Sequence, residues 1–176
     1  MELKETTILE ETVYECPIFT VTQGKVKLPD GNTAPRNRVI HNGGCGVLPV
    51  DADRNVLLVE QYRYGIGKIT LEIPAGKLEA GEVPEQCAQR ELSEEVGGET
   101  DSLESLGILA ATPAYDSEII YIYLARNCRF GGIHLDEDEF LQVHKLPLSK
   151  AVEMVFSGEI IDSKTQIALL KADKIL

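Results

Sequence analysis

Residues 76–98 constrain this chain more than any other stretch. A helical period runs through 83–96. Pro84 opens it, where a missing N–H falls among the unbonded donors of a first turn, and Gly97-Gly98 closes it. At about 100° per residue, Glu91, Glu94 and Glu95 fall within an arc of about 100°. Ala88, Leu92 and Val96 form an apolar stripe directly beside that arc. Such a helix must dock on an apolar layer, with its acids aimed at the edge of the core. A solvated Glu-rich face usually carries Lys or Arg at i+4. Here positions 98 and 99 are Gly and Glu, and Arg90 is the only base in the segment. The 91/94 and 91/95 pairs then repel by roughly 0.2 to 0.5 kcal/mol each. The three glutamates are therefore expected to lack protein counter-cations. Oxygen-only ligands clustered this way suit a hard divalent cation such as Mg²⁺ or Mn²⁺.

The layer for the helix comes from three apolar runs, 46–50, 56–61 and 69–73, which read as core strands separated by Asp51-Ala52-Asp53 and Tyr64-Gly65-Ile66-Gly67. Further strands fit 103–111, 119–125 and 140–146, and helices fit 149–157 and 163–172. Upstream, 6–28 reads as strand segments, with Phe19/Val21 and Val26/Leu28 alternating and Pro29-Asp30-Gly31 supplying a turn. Strands mixed with helices predict an α/β layer structure. The expected organisation is a small β subdomain over 1–42 and one larger domain over 43–176.

Lys and Arg number 17 against 29 Asp and Glu, for a formal charge of −12. That balance opposes docking on nucleic acid, where affinity comes largely from cations on phosphates. A phosphate compound handled by this chain needs metal cations to reconcile the charges. No apolar run is long enough to cross a bilayer, and acids stand where a secretory peptide would have a basic start, so a cytoplasmic protein with no membrane partner is expected. Cys16, Cys45, Cys87 and Cys128 show no metal-ligand spacing and read as reduced, mostly buried thiols.

Upstream of the helix, Gly76-Lys77-Leu78-Glu79-Ala80-Gly81-Glu82 leaves a strand through a glycine-containing loop. Gly76, five residues, Glu82, seven residues, then Arg90-Glu91-Leu92-Ser93-Glu94-Glu95-Val96-Gly97 resembles the Nudix hydrolase box, G-x5-E-x7-R-E-U-x-E-E-x-G-U. Gly98 departs from it, standing where the pattern has a bulky aliphatic residue. Val59-Glu60-Gln61-Tyr62-Arg63-Tyr64 and Leu71-Glu72-Ile73-Pro74-Ala75-Gly76 resemble the segments that lead into the box in ADP-ribose and other nucleoside-diphosphate-sugar pyrophosphatases. Pro113, fifteen residues past Gly98, sits where that group tends to carry a proline.

The resemblance implies a Nudix-type α/β/α sandwich with a mixed sheet, preceded by a small antiparallel β subdomain. It implies Glu91 and Glu95 as principal metal ligands, Glu94 as an auxiliary one, Arg90 as the group that orients the glutamates, and the Ala75 carbonyl as a further ligand. Glu82 would support the loop. Arg63 would grip a phosphate, the other reading of that residue being a surface ion pair. In the acidic run at 136–139, Glu137 would be the general base and Glu139 an extra ligand; on composition alone the run is a solvated loop. Glu118 is the second candidate for base or for ribose contact. His41, His134 and His144 are scattered and read as structural. The β subdomain of this group commonly exchanges across a two-fold homodimer, so Arg36 or Arg38 would add a positive group in trans.

The expected activity is metal-dependent hydrolysis of the pyrophosphate bond of ADP-ribose or a related nucleoside diphosphate sugar. The alternatives are another substrate, such as GDP-mannose or an oxidised nucleotide, and a ligand-binding module with no turnover. The intact set of box acids disfavours the binding module.

Overall fold

Three strands near the N-terminus, β1 (Thr6–Glu15), β2 (Phe19–Lys27) and β3 (Thr33–His41), pair antiparallel in the order β1-β2-β3. The computed structural model describes residues 2–132 and 140–176. β3 carries Pro35, Arg36, Asn37 and Arg38, a polar run without a period-two signal, and it becomes a strand through its pairing with β2 from Phe19↔His41 to Lys27↔Thr33. At the edge of this sheet Pro35 is tolerated because an edge strand does not need every N–H. Val39 also pairs with a later segment, donating its N–H to the Tyr115 carbonyl at 2.7 Å and accepting from the Ser117 N–H at 3.0 Å. The chain accordingly divides into one unit of Met1–Gly43 with Ala110–Ile119, and a second of Gly44–Leu109 with Ile120–Leu176. A boundary drawn at 42/43 from sequence leaves out the inserted segment, because nothing local marks residues 110–119 as partners of β3.

The second unit is built on a mixed sheet in the order β12-β5-β4-β10-β9, with β6 added to β5 and β7 added to β4. Its strands are β4 (Gly44–Val50), β5 (Asn55–Arg63), β6 (Lys68–Glu72), β7 (Ala75–Lys77), β9 (Leu103–Ala110), β10 (Ile119–Arg126) and β12 (Leu141–Pro147). β10 runs parallel to β4, whereas β12 and β6 lie antiparallel to β5. The helices are α1 (Pro84–Val96), α2 (Leu148–Ser157) and α3 (Ser163–Ile175).

The central strands read as continuous apolar runs because both faces are covered. Leu48, Val56, Leu58, Ile122 and Leu124 pack on one side with Ala151, Ala168 and Leu169 of α2 and α3. Cys45, Val47, Leu57, Val59, Tyr123 and Ala125 pack on the other with Cys87, Ala88, Leu92 and Val96 of α1. Alternate residues of one strand thus supply two cores, and the unit is an α/β/α sandwich.

Two strands of two residues each, β8 (Gly98–Glu99) and β11 (Arg129–Phe130), were not marked by any sequence pattern. They follow the left-handed C-cap Gly97, φ 60°, whose carbonyl accepts the Gly131 N–H at 2.7 Å. Gly98 is buried, and a Cβ there would stand 2.7 Å from Leu92 Cδ1. Its departure from the bulky aliphatic of the box pattern therefore has a packing reason. Among the described residues, no helix is long and apolar enough to cross a membrane.

Candidate active site

α1 begins at Pro84, with the Val83 N–H donating to Gln86 Oε1 at 3.5 Å, and buries its Cys87-Ala88-Leu92-Val96 stripe against the sheet. That docking turns Glu91 and Glu95 inward, to 5% and 2% exposure, while the Glu94 side chain stays 35% exposed. A solvated face therefore describes Glu94 at most. The last turn of α1 contains no base. Carboxylates there oppose the helix dipole instead of complementing it. Local helix stability does not explain these residues.

Arg90 gathers the acids. Its Nε donates to Glu82 Oε1 at 3.0 Å and its Nη2 to Glu82 Oε2 at 3.1 Å; Nη1 donates to Glu91 Oε1 at 2.6 Å and to Glu94 Oε2 at 3.1 Å. Nη2 also reaches the Lys77 carbonyl at 3.1 Å. The expectation that Glu91 and Glu94 lack a protein counter-cation is thus corrected. Arg90 lies one residue and four residues away on the same helix, but one guanidinium does not neutralise so many carboxylates. These hydrogen bonds lower the pKa of Glu82, and the same carboxylates raise that of Arg90.

The strand β7 brings the loop to the helix. Ala75 pairs with Gly46 of β4, and its N–H donates to Glu95 Oε2 at 3.0 Å. Beside it, a Cβ on Gly76 would stand 1.8 Å from Glu91 Oε1. Only a glycine lets the strand pass this close to the carboxylate. The Cys87 thiol lies between helix and loop, 3.5 Å from the Lys77 carbonyl and 3.5 Å from Arg90 Nη2. The neighbouring Cys45 thiol and then burial push its pKa up. Cys45, Cys87 and Cys128 are buried and free, and Cys16 is half-buried and free.

Among the described residues, no three His, Cys, Asp or Glu side chains converge at metal-holding distance. The donors offered by Glu91, Glu94, Glu95 and the Ala75 carbonyl are nonetheless all oxygen, and two of the carboxylates are buried beside a glycine cradle. This set fits a hard divalent cation.

Arg63, at the end of β5, donates through Nε and Nη2 to Glu72 Oε1 and Oε2 at 2.8 and 2.6 Å. The ion-pair reading of Arg63 is met, with a partner that is buried and not at the surface. Its pKa is raised chiefly by those hydrogen bonds, with the charges of Glu72, Asp162 and Glu95 adding to them. Sequence reasoning passed over Glu72 and Lys164. The available signals were a carboxylate inside the apolar run at 69–73 and a cation in the first turn of a helix, where the dipole disfavours it.

Of the remaining candidates, Arg36, Arg38, His41 and Glu118 lie in the first unit, His144 lies in the second, and the others fall outside the described residues. Arg36 Nε donates to Glu5 Oε2 at 2.9 Å, just before β1, and Arg38 Nε to Glu10 Oε1 of β1 at 2.7 Å, so both have carboxylate partners within the first unit. Glu118 Oε1 lies 3.6 Å from His41 Nδ1, which accepts the Gly43 N–H at 3.0 Å. His144 Nε2 lies 3.0 Å from Glu60 Oε2. Glu137, Glu139 and His134 fall outside the described residues.

A NUDIX domain model matches residues 41–164, and the chain belongs to that family. The chain is 38% identical over 168 residues to a methanol dehydrogenase activator of Bacillus methanolicus, covering 94% of this chain and 91% of the relative. It is 36% identical over 169 residues to an ADP-ribose pyrophosphatase of Bacillus subtilis (strain 168), covering 95% and 91%. A solved structure described as an ADP compounds hydrolase superposes with a TM-score of 0.88 at 25% identity, covering 100% of this chain and 96% of that one. The chain is a Nudix hydrolase of mixed α/β architecture.

Proposed function

We propose that this chain hydrolyses the pyrophosphate bond of ADP-ribose, or of a related nucleoside diphosphate sugar, with Mg²⁺ or Mn²⁺. The observation that carries the reading is the pair of buried carboxylates, Glu91 and Glu95, held on α1 against the Ala75-Gly76 strand. The likeness to an ADP-ribose pyrophosphatase supports the substrate class. Glu91, Glu95, Glu94 and the Ala75 carbonyl would hold the cation, with Glu139 as an extra ligand. When bound, the cation supplies positive charge against the diphosphate oxygens and lowers the pKa of the attacking water.

The protein's own groups do the rest. Arg90 keeps the glutamates oriented and charged. Arg63 binds a phosphate oxygen and sets the diphosphate in line with the acids. Glu137 accepts the proton of the attacking water, and Glu118 contacts the ribose. Cleavage of the pyrophosphate bond of ADP-ribose by one water then gives AMP and ribose 5-phosphate. A homodimer in the cytoplasm, with Arg36 or Arg38 adding a positive group to the partner's pocket, completes the proposal.

A screen of ADP-ribose, GDP-mannose, other nucleotide sugars and oxidised nucleotides, with Mg²⁺ or Mn²⁺ and product identification, tests it. AMP and ribose 5-phosphate from ADP-ribose are expected, with turnover lost on chelation and restored by the metal. Absence of turnover on every substrate, or turnover indifferent to chelation, would overturn the reading. Glu137→Gln should depress kcat far more than it raises KM, while Glu118→Gln should act mainly on KM. The reverse pattern exchanges the two roles. The 38% likeness to a methanol dehydrogenase activator favours a second reading, in which the same hydrolytic site serves to activate a dehydrogenase. Assaying a methanol dehydrogenase with and without this chain tests that reading, and no increase in rate removes it.

A further inference from the structure

Glu72 is 1% exposed at the end of β6, where Thr70 is the other buried residue, Leu71 packs partly buried against the core and Ile69 is exposed. Both its oxygens are fully engaged. Oε1 accepts from Arg63 Nε at 2.8 Å and from Thr70 Oγ1 at 2.5 Å; Oε2 accepts from Arg63 Nη2 at 2.6 Å and from Lys164 Nζ. Lys164 is itself 8% exposed and donates to Asp162 Oδ1 at 3.0 Å. Asp162 caps α3, its Oδ2 accepting the Thr165 N–H at 2.9 Å, and the Ile73 N–H donates to Thr165 Oγ1 at 2.8 Å. The start of α3 is thereby tied to the strand that runs through Pro74 into Ala75 and Gly76.

Buried ion pairs are a weak device for stability, since desolvation offsets much of the attraction and apolar side chains would fill the same space. This one does something an apolar core cannot. It takes one edge of the Arg63 guanidinium, through Nε and Nη2, in a two-point geometry that fixes the plane of the group. Nη1 takes no part in that clamp, and the Arg63 side chain is 42% exposed. The charge of Glu95 reaches the same guanidinium.

We infer that Glu72 and Lys164 are positioning residues for Arg63: Glu72 clamps one edge of the guanidinium so that the Nη1 edge meets a phosphate oxygen of the substrate, and Lys164 anchors Glu72 to the start of α3. The inference rests on the proposed reading of Arg63 as a diphosphate contact. Burial alone would push the Glu72 pKa up, but Arg63, Lys164 and Thr70 hold it at about 2, so the clamp stays charged across the working pH range.

A double-mutant cycle on hydrolysis of the best nucleotide sugar, with melting temperature measured alongside, tests this. Arg63→Ala should raise KM by about tenfold or more, the loss of a charged hydrogen bond. Glu72→Gln should also raise KM with little change in kcat, and the double variant should be no worse than Arg63→Ala alone. Lys164→Arg should restore most of the KM that Lys164→Met loses. If Glu72→Gln does not fold, Thr70→Val removes one bond to the same carboxylate and should raise KM by about fivefold. A lowered melting temperature with unchanged KM in the folded Glu72 or Thr70 variant, or additive losses in the double variant, overturns the inference. A wild-type enzyme inactive on every nucleotide sugar overturns the functional reading and this inference with it. An active wild type whose KM ignores Arg63→Ala overturns only the clamp.

Discussion

At Gly76 the backbone and a buried carboxylate come closer than any side chain would allow. A methyl group there would stand 1.8 Å from Glu91 Oε1 and 2.3 Å from its Cδ. Gly76→Ala must therefore displace Glu91 or the strand. It is expected to lower kcat by at least about tenfold and to destabilise by roughly 1–3 kcal/mol, the range for overpacking; steady-state kinetics and urea unfolding check both. Glu95→Gln separates chemistry from structure. An amide oxygen still accepts the Ala75 N–H seen at 3.0 Å, so the fold should persist while the ligand charge is gone. The expected result is a loss of kcat by orders of magnitude with an unchanged circular dichroism spectrum, and near-normal activity would remove Glu95 from the site. The three acids were legible at this scale because helical spacing puts them on one arc. Arg90 as the group that orients the glutamates was legible only through the resemblance of the box, and its contacts with Glu82, Glu91 and Glu94 together were not, since no spacing rule predicts so many partners.

Between elements, the link from β6 to α3 makes a pH prediction. The Glu72 carboxyl falls from an ordinary 4.5 to about 2 in the folded protein. A depressed pKa stabilises the fold wherever the group is ionised in both states. That contribution, on the order of 3 kcal/mol, is present above about pH 4.5 and is lost progressively as pH falls toward 2. The melting temperature of the wild type should therefore drop through that window, and that of Glu72→Gln should drop less steeply. Parallel slopes would show that other carboxylates govern acid unfolding. The strands β4, β5 and β10 and the helix α1 were legible as elements because burial on both faces leaves continuous apolar runs and a stripe at helical period. β3, β7, β8 and β11 were not. Each is a strand through its partner, and a polar or glycine-rich segment of two to nine residues carries no period of its own.

For the whole molecule, the first unit poses the problem. All ten residues of β1 are exposed, with Ile8 at 55%, Leu9 at 60%, Val13 at 54% and Tyr14 at 54%. A small sheet with such an edge buries little apolar surface alone, and an uncovered strand edge invites pairing. Sedimentation should give a homodimer, twice 19.4 kDa, and Ile8→Asp with Val13→Asp should shift it to monomer. A monomeric wild type would overturn the shared-pocket part of the proposal. Removing residues 1–42 is the poorer test, because it strips Ala110–Ile119 of its strand partner β3. What the sequence by itself determined is the layered α/β architecture and the acid-bearing helix, since both are written in local periods: apolar runs, a stripe with an adjacent arc of carboxylates, glycines at fixed offsets. Only the tertiary structure decided which acids are buried, which cation each one meets, and that Glu72 clamps Arg63 against α3. Those outcomes depend on groups separated by as many as 92 residues that come together when both faces of the sheet are covered, and no local period encodes such a meeting.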